Sequence, residues 1–287
     1  MIVLEYKIKA KQPQYLAIDE AIRTGKFVRN KALRYWMDNK GVNKYDLNKY
    51  CRILAKEYSF ADRLNSTARQ SSAERAWSSI ARFFDNCKKR TARESTVSSV
   101  QGRSKQKVPP KRFPKFKKYS RSVEYKQSGW KLDEKTKKHI TFTDKNNIGR
   151  VKLVGSRDIY FYQPEQIKRV RLVRRADGYY CQFCISIEVK EDMQPTGKAV
   201  GLDMGLKYFY ADSFGHIEEN PRFYRKSEQK LNRLNRRKSV KYRKGQKQSK
   251  NYHKARRQYA KQHLRVSRQR KDHAVKLARC VCASNGT

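Results

Sequence analysis

Apolar and polar residues alternate from Ile2 to Ile8, with Ile2, Leu4, Tyr6 and Ile8 on one face, and this period of two predicts a strand. From about Gln14 to Lys89 the period lengthens to that of a helix. Tyr15, Ile18 and Ile22, then Val28, Leu33, Trp36 and Met37, recur at helical spacing, and Gly25, Gly41 and Asn43 are expected to break the run into separate helices. The clearest helix covers about Asn65 to Lys89, where Ala73, Trp77, Ile80 and Phe84 fall at i, i+4, i+7 and i+11 and make a core stripe. Residues 91–108 are rich in Ser, Thr, Gln and Lys, have no period, and are expected to form a flexible linker.

Strand signals dominate from about 121 to 190. Lys168 to Arg175 places Val170 and Leu172 on one face, Asp177-Gly178 is a strong hairpin turn, and Tyr179 to Val189 alternates. That alternation puts Cys181 and Cys184 on opposite faces, so their spacing does not make a zinc pair, and zinc is not expected in this chain. Pro195-Thr196-Gly197 marks a boundary. Lys198 to Asp203, Leu206 to Asp212 and Gly215 to Glu218 then predict three short strands in a meander, the first a buried strand that delivers the Asp203 carboxylate. Beyond Pro221 the chain turns helical, with a break at Gly245.

Composition changes this picture in one respect, the charge. The 287 residues carry 70 Lys+Arg against 26 Asp+Glu, a formal net charge of +44, where small soluble domains hold roughly 2–8. Such an excess repels itself unless a polyanion neutralises it, and DNA and RNA are the obvious counterions. An anionic membrane is the rival, but no apolar run approaches the ~20 residues of a spanning helix. The N-terminus Met1-Ile2-Val3-Leu4-Glu5-Tyr6-Lys7 lacks the order of a signal peptide, and six cysteines in a chain of this length do not make a disulfide framework. Both observations point to a cytoplasmic protein.

Three regions are candidates for nucleic-acid contact. From Arg222 to Lys276 the chain holds 22 Lys/Arg against Glu228 and Asp272, interspersed with Tyr224, Tyr242, Tyr252 and Tyr259. At that density an unliganded face is disfavoured, and Arg236, Arg237, Lys238, Arg256 and Arg257 are the expected phosphate contacts. In Val108 to Lys118, prolines fix an extended backbone while Phe113 and Phe116 interleave with Lys111, Arg112, Lys115, Lys117 and Lys118. The rings would stack or anchor and the cations would meet phosphates; a solvated basic loop is the alternative. Ser66 and Gln70 continue the helical stripe with polar atoms, so Gln70 is either an interior side chain satisfied by backbone or a reader of base edges.

Asp203 is the candidate catalytic and metal-binding residue. Phosphodiester cleavage by metals generally uses two cations about 3.5–4 Å apart, which require several carboxylates. After Asp203 the remaining acids are Asp212, Glu218, Glu219, Glu228 and Asp272, and none is an evident partner.

At these residues the chain resembles a known family. Gly201-Leu202-Asp203-Met204-Gly205-Leu206-Lys207 with Asn220-Pro221-Arg222-Phe223 is similar to the first RuvC motif of the TnpB/OrfB proteins of insertion sequences. Phe113-Pro114-Lys115-Phe116-Lys117, the hairpin Arg174-Arg175-Ala176-Asp177-Gly178-Tyr179-Tyr180 and the basic helices resemble the family in order and spacing. The resemblance implies an α+β multidomain chain. A wedge β-barrel (1–10 and 105–195) would be interrupted by a helical recognition lobe (11–104, also described as helix-turn-helix) and followed by a partial RNase H-like (RuvC) domain (196–287). It further implies a guide RNA from the element end, double-stranded target DNA and Mg²⁺ as cofactor. The family's second and third carboxylates and its zinc ribbon have no counterpart in these residues, so the expectation is a truncated, cleavage-deficient copy of an RNA-guided DNA endonuclease. A non-catalytic guide-RNA/DNA-binding regulator or repressor, or an unstable truncated product, are the alternatives.

Overall fold

The computed structural model describes residues 1–97, 113–156, 159–187 and 199–285, and its chain divides into two compact units, Met1–Glu188 and Val189–Thr287. The elements mix α and β throughout.

In the first unit, strand β1 (Ile2–Lys9) is followed by helices α1 (Gln12–Asp38), α2 (Lys44–Glu57), α3 (Ser59–Arg63) and α4 (Ser66–Val97), then by strands β2 (Ser122–Tyr125), β3 (Trp130–Leu132), β4 (His139–Phe142), β5 (Gly149–Val154), β6 (Ile167–Arg175) and β7 (Gly178–Ile185). All seven strands form one antiparallel sheet in the order β2-β6-β7-β1-β5-β4-β3. The alternation of β1 explains its central place: Leu4, Tyr6 and Ile8 are buried, and the strand pairs with β7 on one side and β5 on the other. Although β2 and β3 stand at opposite edges, only residues 126–129 join them, so the sheet curls. Tyr125 meets Phe142 of β4 at 4.9 Å between centroids, and Trp130 meets Phe183 of β7 at 6.4 Å.

Ile18, Ala21 and Ile22 of α1, with Leu64 and Ala68, pack on the sheet's apolar face and close the larger core. Each fully buried isoleucine contributes about 1.5–3 kcal/mol there. A second core lies among the helices, where Val28, Leu33, Leu47, Leu54, Ala73 and Ile80 interlock. The chain breaks at Gly41 (φ 76°) and Asn43 as the sequence predicts, and the structure adds a capping box at Asn43, whose side chain accepts from the Tyr45 and Asp46 amides and starts α2. Gly25 behaves differently. It lies inside an unbroken α1, where a Cβ would come within 3.1 Å of Ser72 Oγ and 3.4 Å of Val123 Cγ2. The glycine serves close approach of α1 to α4 and β2 rather than a break. Helix α4 also continues to Val97, into the stretch expected to be a linker; the rest of that stretch lies outside the described residues.

Two carboxylates tie α4 to the sheet. Glu124 on β2, 3% exposed, accepts from Arg169 Nη1 at 2.6 Å and from Arg171 Nε, with Arg75 Nη2 at 3.5 Å. Glu74 on α4 takes Lys126 at 2.8 Å, Arg169 at 3.2 Å and Lys44 at 3.8 Å. Burial pushes the Glu124 carboxyl up, but the hydrogen bonds from Arg169 and Arg171 and the charge of Arg75 outweigh it and hold its pKa below the usual value.

At the β6–β7 hairpin the register pairs Arg175 with Gly178, so the two turn residues are Ala176 and Asp177, and Gly178 (φ 147°) opens β7. Cys181 is buried in the larger core, while Cys184 is buried near Arg171 and Glu124; both thiols are free, and burial raises the pKa of each.

The second unit contains strands β8 (Leu202–Asp203), β9 (Tyr208–Asp212) and β10 (Ile217–Glu219) in the antiparallel order β10-β9-β8, then helices α5 (Phe223–Val240) and α6 (Lys250–Asn285). The meander is the expected one, but β8 is not the expected buried strand. It is a two-residue edge strand with both residues exposed, and the apolar Met204 and Leu206 after it are exposed too, Leu206 at 96%. Having one neighbour and two paired residues, β8 has nothing to bury its side chains against in the described unit. The sheet joins the helices through His273 of α6, whose ring meets those of Phe209 at 5.0 Å and Phe223 at 5.7 Å in near-perpendicular contacts.

Candidate nucleic-acid interface

The pair α5 and α6 forms an antiparallel hairpin with a thin apolar seam. Leu231 and Leu234 of α5 are buried, as are Ala255, Gln262 and Val266 of α6, and Gln262 Nε2 donates to Ser227 Oγ at 3.4 Å. The chain enters α5 through Arg222 in the left-handed region (φ 47°), where Asn220 Oδ1 accepts the Arg222 amide. Gly245 (φ 75°) turns it between the helices, and Gln248 braces the turn by donating to the Gln246 carbonyl and accepting from the Arg243 amide. With so few positions spent on the seam, the remaining surface is cationic: α5 holds seven Lys/Arg and Glu228, α6 holds eleven and Asp272. Asp272 is committed to Lys276 at 2.8 Å. Arg236, Arg237, Arg256 and Arg257 are exposed, and Lys238 sits half-buried over the Tyr259 ring, 4.5 Å from its centroid. Tyr242 and Tyr252 approach to 5.7 Å beside the turn, and Tyr224 is exposed.

In the first unit, the segment 113–118 is held on α1 by its backbone, which frees its side chains. Asn30 bonds Lys117 in both directions, Nδ2 to the carbonyl and Oδ1 from the amide, each at 2.9 Å. Arg29 Nη1 donates to the Lys115 carbonyl at 3.2 Å and Lys26 Nζ to that of Lys118 at 3.3 Å. Arg29 is only 5% exposed, makes no ion pair among the described residues, and leaves its Nε unpaired there; burial, then the charge of Arg75, lowers its pKa. Pro114 is buried, and Phe113 packs on Trp36 at 5.9 Å and Phe83 at 5.3 Å, so Phe113 is an anchor. Lys115, Phe116, Lys117 and Lys118 are exposed. Partial burial, and after it the charges of Arg29 and Arg75, hold the Lys117 pKa below its ordinary value. Lys111 and Arg112 lie outside the described residues. Gln70 is half-buried on α4, with Oε1 accepting from Lys126 Nζ at 3.4 Å beside Glu74.

One basic surface went unread in the sequence. On the outer face of the large sheet, Lys9 stands opposite Lys152, and Lys152 opposite His139, in register across β1, β5 and β4, with Arg150 and Lys11 beside them around one cleft. Like charges directly opposite each other destabilise a sheet, so an anion would relieve this row. The signal was available in the polar phase of β1, where Lys7 and Lys9 fill the positions between apolar residues.

Asp203 is exposed on β8, opposite Ala211, and its strand neighbour Leu202 stands opposite Asp212. Asp212 is engaged elsewhere: its Oδ1 accepts the amides of Phe214 at 3.0 Å and His216 at 2.8 Å and so caps the β9–β10 turn. Among the described residues, no three or more His, Cys, Asp or Glu come together as a group that could hold a metal ion. One exposed carboxylate does not fit a two-cation site, which needs several acidic ligands to offset the charge of the metals. Cys280 and Cys282 are free and exposed. Among the described residues, no helix is long and apolar enough to cross a membrane.

No curated protein matches the chain. Residues 182–287, a stretch that begins inside β7 and takes in Asp203 and the whole basic hairpin, match the family model described as OrfB_IS605, Probable transposase, and this C-terminal part of the chain is a domain of that family.

Proposed function

We propose that this chain is a nucleic-acid-binding protein of an insertion sequence, related to RNA-guided DNA endonucleases, and that the 287-residue polypeptide binds without cutting. In this reading residues 1–10 and 105–195 serve as the wedge β-barrel and 11–104 as the recognition lobe, with 196–287 an RNase H-like part. Guide RNA and double-stranded target DNA are the ligands. Arg236, Arg237, Lys238, Arg256 and Arg257 would meet phosphates from the hairpin, and Lys115, Lys117 and Lys118, with Lys111 and Arg112 beside them in sequence, from the segment on α1. The observation that carries the reading is the hairpin itself, whose eighteen cations, seven on α5 and eleven on α6, face two acids. A surface of that composition is stabilised by a polyanion, and base pairing rather than side chains would then read sequence.

Asp203 stands at the position of the family's first carboxylate, and the described residues around it supply no cluster for a catalytic metal pair. Binding and cleavage are therefore separable by experiment. Purified protein is titrated with a guide-length RNA and matching duplex DNA at several salt concentrations, then incubated with Mg²⁺. Tight binding that weakens steeply with salt, is unchanged by Asp203→Ala and is followed by no strand scission is expected. Salt-independent binding would remove the nucleic-acid reading, and guide-dependent scission lost in Asp203→Ala would remove the non-cutting one.

A further inference from the structure

Three aromatic side chains far apart in sequence line one open cleft of about 550 Å³ in the first unit: Phe27 of α1, Phe60 of α3 and Phe116 of the segment that crosses α1. The volume falls within the roughly 300–1,000 Å³ of small-ligand sites. Phe27 is largely committed to the fold, with its ring against Tyr58 and Phe60 at 5.0 Å each. Phe60 shares this cluster, meeting Tyr58 at 5.6 Å as well, yet remains 36% exposed, and Phe116 is 46% exposed. Both are nevertheless held in place. Phe116 lies between Lys115, whose carbonyl takes a bond from the buried Arg29, and Lys117, which Asn30 grips in both directions. The short helix that carries Phe60 is fixed by Arg69, whose guanidinium donates to the carbonyls of Ala61, Asp62 and Leu64.

Charge distinguishes this cleft from an ordinary exposed apolar patch. Of the cations around it, Arg23 is paired with Glu20 at 3.0 Å and Arg34 with Asp38 at 2.9 Å. Lys26 and Lys31 form no ion pair among the described residues. Lys26 donates to the Lys118 carbonyl, and Lys31 donates to the Tyr58 hydroxyl at 3.0 Å while lying over the rings of Tyr58 and Phe27. Flat apolar walls beside two ammonium groups that form no ion pair among the described residues complement a ligand that is itself a flat ring carrying an anion.

We propose that this cleft binds one unpaired nucleotide of a nucleic-acid strand, its base against Phe60 and Phe116 and its phosphate at Lys26 and Lys31. The inference rests on the nucleic-acid reading above and adds to it a site that takes an unstacked base, which a phosphate-gripping hairpin does not require.

The test uses the full chain and fluorescence anisotropy with single-stranded DNA, single-stranded RNA and a blunt duplex of the same sequence. Phe60→Leu/Phe116→Leu keeps apolar volume but removes both flat faces. It should lower affinity for one or both single strands by roughly tenfold or more, leave the duplex within about twofold, and leave the salt slope unchanged. Lys26→Gln/Lys31→Gln should instead make the single-strand slope shallower by roughly 0.7 per lost phosphate contact. The two single-strand arms identify which nucleic acid is the source. In the unaltered protein, a 5-bromouracil-substituted strand irradiated in complex should crosslink to peptides containing Phe60 or Phe116, a readout that does not depend on the variants folding. Single-strand binding unchanged in the phenylalanine variant, equal losses on duplex and single strand, or crosslinks confined to other peptides would overturn the cleft while leaving the hairpin reading intact. Failure of the unaltered protein to bind any of the three ligands would overturn both.

Discussion

Replacing Arg236, Arg237, Arg256 and Arg257 together with glutamine removes four charges from the exposed surface of the α5–α6 hairpin without touching the buried Leu231, Leu234, Ala255 or Val266. The contact of Lys238 with the Tyr259 ring sets those two residues at one level of the hairpin. Counting from that level at about 1.5 Å per residue, the four arginines fall within about 8 Å along the axis. Duplex DNA carries one charge per ~1.7 Å, so that span faces roughly four or five phosphates, enough for every arginine to have one. Each neutralised phosphate adds about 0.9 to the slope of log K against log salt, and the quadruple variant should be shallower by about 3.6. Between 50 and 200 mM salt each contact changes affinity by about 3.5-fold, so the salt effect of the variant should be smaller by roughly 150-fold. Anisotropy titrations at four salt concentrations read the slope directly, with circular dichroism as the check that α5 and α6 persist. A slope within about 0.5 of the unaltered protein's would refute the assignment, because it would mean the arginines meet no phosphate. An affinity loss that is the same at every salt concentration would refute it equally.

Three further outcomes concern the stability of the two units. Glu124→Gln should destabilise the first unit by about 3–5 kcal/mol, the range for removing one partner from a buried charge cluster, and the change is readable by tryptophan fluorescence in urea because Trp36, Trp77 and Trp130 all lie in that unit. The depressed Glu124 pKa means its stabilisation is full above the ordinary glutamate range and is lost as pH falls through the lowered value, so a variant whose loss did not shrink in acid would contradict the assignment. Asp144 has the opposite sign: burial pushes its carboxyl up to about 6, against the pull of the Asn65 amide, the Tyr125 hydroxyl and Arg69. Its contribution is fully present below the unfolded value of about 3.9 and is lost as pH rises through about 6, each tenfold change in proton affinity being worth about 1.4 kcal/mol. Asp144→Asn keeps an acceptor for the Asn65 amide and places a donor near the Tyr125 oxygen, so it should be more stable than the unaltered protein by about 2 kcal/mol at pH 8, with the advantage shrinking below pH 6. Equal or lower stability at pH 8 would show the carboxylate to be better compensated than its burial implies. Finally, limited thermolysin digestion should cut at Leu202–Leu206 before any bond inside the described strands of the first unit, because β8 has two paired residues and exposed apolar side chains; first cuts within β6 or β7, read by mass spectrometry, would contradict that order.

How much of this was legible in the sequence depends on whether a feature is local. Strand β1 and the helix breaks at Gly41, Asn43 and Gly245 were readable because a period of two and a residue that favours a turn each act within a few residues. Gly25 was not, because the sequence cannot separate a glycine that ends a helix from one that lets another element come close; here Ser72 and Val123, 47 and 98 positions away, decide the matter. The same limit governs Asp203. Val200-Gly201-Leu202-Asp203 has the composition of an interior strand, but burial is supplied by neighbours, and among the described residues β8 pairs with β9 alone. Charge density, by contrast, survives without tertiary information, since eighteen cations on two helices with one short seam must be mostly outside. The cleft of Phe27, Phe60 and Phe116 is the converse case: three rings on three elements form no pattern in the chain, and two of them read as unremarkable loop or helix residues. What makes them a site is Arg29, a buried cation whose two Nη groups donate to the side chains of Asn30 and Ser79 and to the backbone of the crossing segment. Burying a guanidinium costs desolvation that its bonds only partly offset, and one of those bonds holds the carbonyl of Lys115, the residue before Phe116.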